Sequence, residues 1–207
     1  VMENVLFKIS FPAEFHSQTA VEAAITLHGK LKASGKTTND IKKITIRTHE
    51  AAIRIIDKKG ALNNPADRDH CIQYMIAVPL IFGRLTAADY EDNIASDVRI
   101  DVLRDKMICI EDKQFTKDYH DPEKRSIANA LTVELNDGTV LDEVVVEYPI
   151  GHKRRREEGI PELVKKFKIN LARKFPEKQQ RKILEASLDY SKLINIPVNE
   201  WVDLMVI

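Results

Sequence analysis

NPADRDHCIQYMIAVPLIFGRLTAADYED, residues 64–92, carries the strongest structural signal in the chain. Asn64 suits a helix N-cap, Pro65 suits the first helical position, and Asp67 sets negative charge against the positive end of the helix dipole. From Cys71 to Phe82 every residue but Gln73 is apolar, so a helix here has no solvent face and is predicted to run through the interior. Its 12 apolar residues are too few to cross a bilayer. Pro79 cannot donate to the Met75 carbonyl, which predicts a kink, and Gly83 offers a stop. His70 and Tyr74, four apart, are predicted to share a face at the polar end, with Arg68, Asp69 and Gln73 close by. Polar groups taken into an interior need partners, which a protein core, a domain seam or a substrate can each supply.

Outward from this helix, the composition is that of an ordinary globular protein, 43% apolar and 31% charged. The 32 basic and 32 acidic residues cancel, so no global field draws nucleic acid or a membrane surface. Cys71 and Cys109 are the only cysteines, 38 positions apart and both in apolar runs, which reads as reduced thiols of a cytoplasmic protein. Two thiols also fall short of the roughly four protein ligands an iron–sulfur cluster takes, and no Cys/His spacing suggests zinc. No metal and no cofactor is expected. Residues 1–7 start in apolar sequence without an initiator Met, which reads as a fragment.

Upstream, residues 19–32 have helical spacing and break at Gly35; residues 41–48 alternate as a strand with a register fault at Lys42-Lys43; residues 50–57 form a short helix. Downstream, Thr86 caps a short helix, and Ser96 caps another through Lys106 with Val98, Val102 and Leu103 inward. Residues 107–110 read as a strand and 116–125 as a loop. Residues 127–135 and 139–148 form a hairpin, because Asp137-Gly138 supplies the positive φ of a tight turn. Residues 151–159, GHKRRREEG, read as a charged linker, and three helices (161–175, 177–193, 198–207) follow. The basic run HKRRR lacks interleaved aromatics and is followed by two glutamates, which favours a solvated linker over nucleic-acid binding. His28, His49 and His120 show no partners by spacing and default to the surface. This order predicts an α+β fold: a small, mainly antiparallel sheet covered by helices over residues 1–150, then a helical tail over 151–207.

Three blocks, PADRDHCIQYMIAVPLIFGRLTAADYED, KISFPAEFHSQTAVEAA (8–24) and FTKDYHDPEKRSIANALTVELNDG (115–138), resemble the C-terminal part of the MmgE/PrpD family, well under half of that family's chain. The resemblance implies a homodimeric hydro-lyase that removes water from 2-methylcitrate to give 2-methyl-cis-aconitate in propionate breakdown, without a metal. It implies a lid-side piece working against an N-terminal helical domain, on which the tail would pack. Trp201, Val202, Leu204, Met205, Val206 and Ile207 would then need that partner surface.

By the same resemblance, Lys8 is a carboxylate anchor and Tyr74 an active-site phenol, although Ile9-Ser10 separates Lys8 from Phe11-Pro12 by one residue more than in relatives. Arg68 can grip a carboxylate through paired N–H bonds, and His70 can share a network with Tyr74. His16 lies near the site, whereas Gln18 stands where many relatives carry a histidine. Lys8, Tyr74 and His70 are the candidate catalytic residues; Arg68 and His16 are the candidate substrate ligands. A related decarboxylase or epimerase chemistry and a non-catalytic lid or dimerisation module are the competing expectations.

Overall fold

A computed structural model describes residues 9–206. Its chain forms two compact units, residues 1–155 and 156–207.

The first unit is assembled on a four-stranded sheet with strand order β2-β1-β3-β4. β1 (Ile41–Thr48) lies between β2 (Met107–Glu111) and β3 (Asn129–Leu135), and β4 (Val144–Val146) closes the far edge. β1–β3 and β3–β4 pair antiparallel; β1–β2 pairs parallel, Ile44 opposite Met107. The fold is α+β as expected, with one parallel edge that the sequence reading did not specify. Its origin is the long helical excursion between β1 and β2, since parallel neighbours need a crossover. The fault at Lys42-Lys43 is a real irregularity, with the β1–β3 register shifting between Ile41 and Lys43. Period-two alternation puts Ile44, Ile46, Leu131 and Val133 on the buried face, each fully enclosed.

A helix covers that face, with the central helix behind it. α1 (Gln18–Ala33) packs on β3 and β4 with Leu27 and Leu31 inward, and its other side meets the central helix. The stretch predicted as one helix is two. Asn64 Oδ1 accepts from the Asp67 N–H at 2.9 Å, starting α3 (Pro65–Asp69); the chain then leaves helical geometry and restarts as α4 (Ile72–Phe82). The break falls where composition switches from charged to apolar, so the first segment stays near the surface while the second enters the core. Residues 72–80 of α4 are all buried. Gly83 ends it at φ 68°, its N–H donating to the Pro79 carbonyl at 2.8 Å.

Between them runs α2 (Glu50–Ile56), and after α4 come a 3-10 turn (Ala87–Tyr90) capped by Thr86, α5 (Asp92–Ala95) and α6 (Val98–Arg104). Asp97, not Ser96, caps α6, which rotates the inward face: Ile100 and Leu103 are buried, while Val98 and Val102 are exposed. The first half of the expected loop at 116–125 belongs to α7 (Lys113–His120), started by Asp112 Oδ1 accepting from the N–H groups of Gln114 and Phe115. The hairpin turn forms through Gly138 at φ 85°, with β4 shorter than expected.

The charged linker is also ordered. Arg154 donates to the Tyr148 hydroxyl at 2.7 Å, and Arg155 clamps Glu22 through two 2.9 Å bonds. The second unit holds four helices among the described residues rather than three: α8 (Arg156–Ala172), α9 (Glu177–Leu188), α10 (Tyr190–Leu193) and α11 (Val198–Asp203). Asp189 divides the expected middle helix, leaving helical geometry to cap α10 with its side chain. Within this unit Trp201 Nε1 donates to Ser187 Oγ at 3.1 Å, while Val202 and Val206 are exposed and Ile207 lies outside the described residues.

Candidate active site

FPAEFHSQ (11–18) folds into a tight turn ahead of α1. Gln18, buried at the helix start, donates to the carbonyls of Phe11 (2.9 Å) and Ala13 (2.7 Å), and Ser17 Oγ donates to the Glu14 carbonyl. Gln18 is therefore a strut of this turn. The turn presents Glu14 and His16 as a pair. Glu14 Oε2 accepts from the His16 backbone N–H and Oε1 from the ring Nδ1, both at 2.8 Å. From β3, Asn129 donates to the His16 carbonyl at 2.7 Å and to Thr19 Oγ1 at 2.8 Å.

Around the ring stand groups from distant parts of the chain. His16 Nε2 is 3.1 Å from the hydroxyl of Tyr119 on α7. The Tyr119 ring stacks on His49, in the turn between β1 and α2, at 4.5 Å and 18°, and His49 is 5.2 Å from His16. His120 meets the Tyr119 edge at 5.1 Å.

The electrostatics follow from this crowding. Burial works to raise the Glu14 carboxyl, but the hydrogen bonds and charge of His16, with a contribution from His70, outweigh it and hold Glu14 below the ordinary carboxylate value. Burial, then the His16 charge, pushes His49 down to about 4 against weaker pulls from the Ala128 backbone and Glu14. With Glu14 accepting from Nδ1–H, Nε2 is the nitrogen left to exchange a proton, the arrangement of a general acid or base.

Of the residues singled out by sequence, His16 sits at the centre. His70 lies at the break between α3 and α4, its side chain 52% exposed and its Nδ1 3.6 Å from Asp69. The break separates it from Tyr74, so the expected shared face does not form. Tyr74 is 2% exposed; its hydroxyl donates to the Asp89 carbonyl at 2.5 Å, and its ring stacks on Tyr90. Burial pushes its phenol up to about 12. Arg68 is also buried, donating to the Tyr90 carbonyl at 2.5 Å and to Asp92 at 2.6 Å. Tyr74 and Arg68 thus both fasten the segment 89–92 to the entry of α4. Lys8 lies outside the described residues.

Sequence reading missed Glu14, Tyr119 and His49. Glu14 had a local signal, a carboxylate two residues before a histidine. His49 was placed on the surface by default, yet it is fully buried, because the strand end delivers it beneath α7. Only tertiary structure joins residues 16, 49 and 119.

A second cleft is lined by Lys58, Lys59, Gln73, Asp101 and Arg104, but its cations are committed: Lys58 to Asp67, Lys59 to Asp57 and Arg104 to Asp101. Among the described residues no cluster of three or more His, Cys, Asp or Glu side chains could hold a metal ion, and no helix is long and apolar enough to cross a membrane.

The family description "MmgE/PrpD C-terminal domain" matches residues 11–190. The 2-methylcitrate dehydratase of Escherichia coli (strain K12) is 73% identical over 207 residues, all of this chain and 43% of that protein. The 2-methylcitrate dehydratase of Cupriavidus necator is 70% identical over 207 residues, again 43% of its length. The mitochondrial 2-methylcitrate dehydratase of Yarrowia lipolytica is 64% identical over 206 residues, 39% of its length. The chain therefore spans less than half of the curated relatives it matches.

Proposed function

Because the chain belongs to the MmgE/PrpD family, with residues 11–190 matched, we propose that it is the lid-side part of a 2-methylcitrate dehydratase. The reaction removes water from 2-methylcitrate to give 2-methyl-cis-aconitate. The observation that carries the reading is the 73% identity to a 2-methylcitrate dehydratase over all 207 residues. The Glu14–His16 pair supplies chemistry to match it. Elimination requires a base for the proton on the carbon beside a carboxylate and an acid for the departing hydroxide. His16, held by Glu14, is the source of the proton that reaches the hydroxide; His70, exposed and within electrostatic reach of Glu14, takes the carbon-bound proton. Lys8 anchors a carboxylate. Arg68 and Tyr74 have their polar atoms engaged by residues 89–92, so contact with substrate from either requires that segment to yield.

The rest of the site belongs to an N-terminal helical domain of the same protein, with the tail at 156–207 packing on it, and the assembly is a homodimer in the cytoplasm. No metal or other cofactor takes part.

The test uses the full-length enzyme offered 2-methylcitrate, citrate and cis-aconitate in turn. Preferential consumption of 2-methylcitrate is expected; release of carbon dioxide from cis-aconitate instead would assign a decarboxylase. His16→Asn should lower kcat about 10²–10⁴-fold, the usual worth of a positioned acid or base. Retention within threefold would remove His16 from the chemistry and favour a non-catalytic lid.

A further inference from the structure

The His16 ring has one in-plane lone pair or proton at each nitrogen. Glu14, a carboxylate and so an acceptor, takes the Nδ1 proton at 2.8 Å. That leaves Nε2, and Nε2 does not open directly to a ligand: the Tyr119 hydroxyl stands on it at 3.1 Å. A proton entering or leaving His16 at Nε2 must pass through that oxygen or wait for the phenol to move away.

The phenol is not placed to move easily. Its helix α7 is capped by Asp112, and Thr116 Oγ1 on the same helix accepts from the Glu50 N–H at 2.9 Å, tying α7 to the start of α2. One face of the ring rests on His49 at 4.5 Å, nearly parallel. His49 is 0% exposed, with Nδ1 3.4 Å from Thr48 Oγ1. The ring at position 49 offers Tyr119 a flat face to stack on, which an aliphatic side chain would not.

Resting on the dehydratase reading above, we propose that Tyr119 is the proton relay between His16 and the leaving hydroxyl group, and that His49 is the positioning residue that holds the relay in line. In the elimination the Tyr119 O–H gives its proton to the departing oxygen, which leaves with the C–O electron pair as water. The Tyr119 oxygen takes the Nε2 proton of protonated His16, whose ring returns to the neutral form with Nδ1–H on Glu14. The carbon-bound proton goes to the second base, and its electron pair becomes the new C=C bond. The phenol ends each turnover unchanged.

The test compares Tyr119→Phe, His49→Leu, His49→Phe and His16→Asn in the full-length enzyme with 2-methylcitrate. Tyr119→Phe is expected to lower kcat about a hundredfold with little change in KM, as loss of a proton-transferring group does. His49→Leu should lower kcat about tenfold and His49→Phe should restore it to within threefold, since a flat ring is what the stack requires. Should Tyr119→Phe stay within threefold while His16→Asn is inactive, the relay is overturned and the dehydratase reading stands. Equal losses in His49→Leu and His49→Phe would overturn the role of His49. An active His16→Asn enzyme would overturn the relay and the acid role of His16, whereas only failure of the full-length enzyme to consume 2-methylcitrate would overturn the dehydratase reading.

Discussion

His49 is fully buried, and this gives it a titration signature. Its unfolded value is 6.5 and its folded value about 4, so between them the unfolded chain binds more protons than the folded one. Stability is then full above about pH 6.5 and falls toward pH 4, by up to about 3 kcal/mol. Urea unfolding of the chain at about pH 7 and about pH 4.5 should show this loss, and His49→Phe should flatten it. Glu14 acts in a lower window: its depressed carboxyl contributes above its unfolded value of 4.5 and fails as pH drops through the folded one. Tyr74 makes a separate case. Tyr74→Phe leaves the Asp89 carbonyl without its 2.5 Å donor and should cost about 1–2 kcal/mol in urea unfolding. A cost below about 0.5 kcal/mol would mean the carbonyl finds another partner. At this scale the sequence was partly legible. The resemblance pointed to His16, but it also offered Tyr74 and Arg68 to a ligand, and only coordinates reveal that residues 89–92 have claimed them.

Elements read well wherever one periodicity dominated. β1 was visible with its Lys42-Lys43 fault because alternation runs from Ile44 onward, and α4 was visible because its apolar run has no polar face. Where a terminus depends on one hydrogen bond, reading failed. Asp97 rather than Ser96 starts α6, and Asp112 starts a helix in a segment too polar to look like one. These caps carry predictions. Asp112→Ala should weaken α7 by about 1 kcal/mol and, through Tyr119, reduce turnover of the full-length enzyme; unchanged turnover would separate α7 from the site. Gly83 is more demanding. Its φ of 68° disfavours a side chain, and a Cβ there would lie 2.9 Å from the His28 ring, itself fixed to the Leu80 carbonyl. Gly83→Ala should destabilise the chain by about 1–2 kcal/mol or more, read from the urea midpoint.

For the whole molecule, the fold class followed from element order, but the parallel edge did not, since no local pattern in MICIE distinguishes which side of β1 it joins or in which direction. The chain alone, spanning 43% of a relative 73% identical to it, is expected to show no turnover of 2-methylcitrate; measurable turnover by the purified 207-residue chain would contradict the placement of the second domain. That parallel edge also bears on how the sheet comes together. β3 and β4 are joined by a tight turn and can zip at once, whereas Ile44 must wait for Met107 across a long intervening chain whose closure carries an entropic cost. Among the described residues β2 also has a strand neighbour on one side only. It should therefore be the last strand to dock and the first to peel away, with amide hydrogens that exchange into heavy water sooner than those of β1.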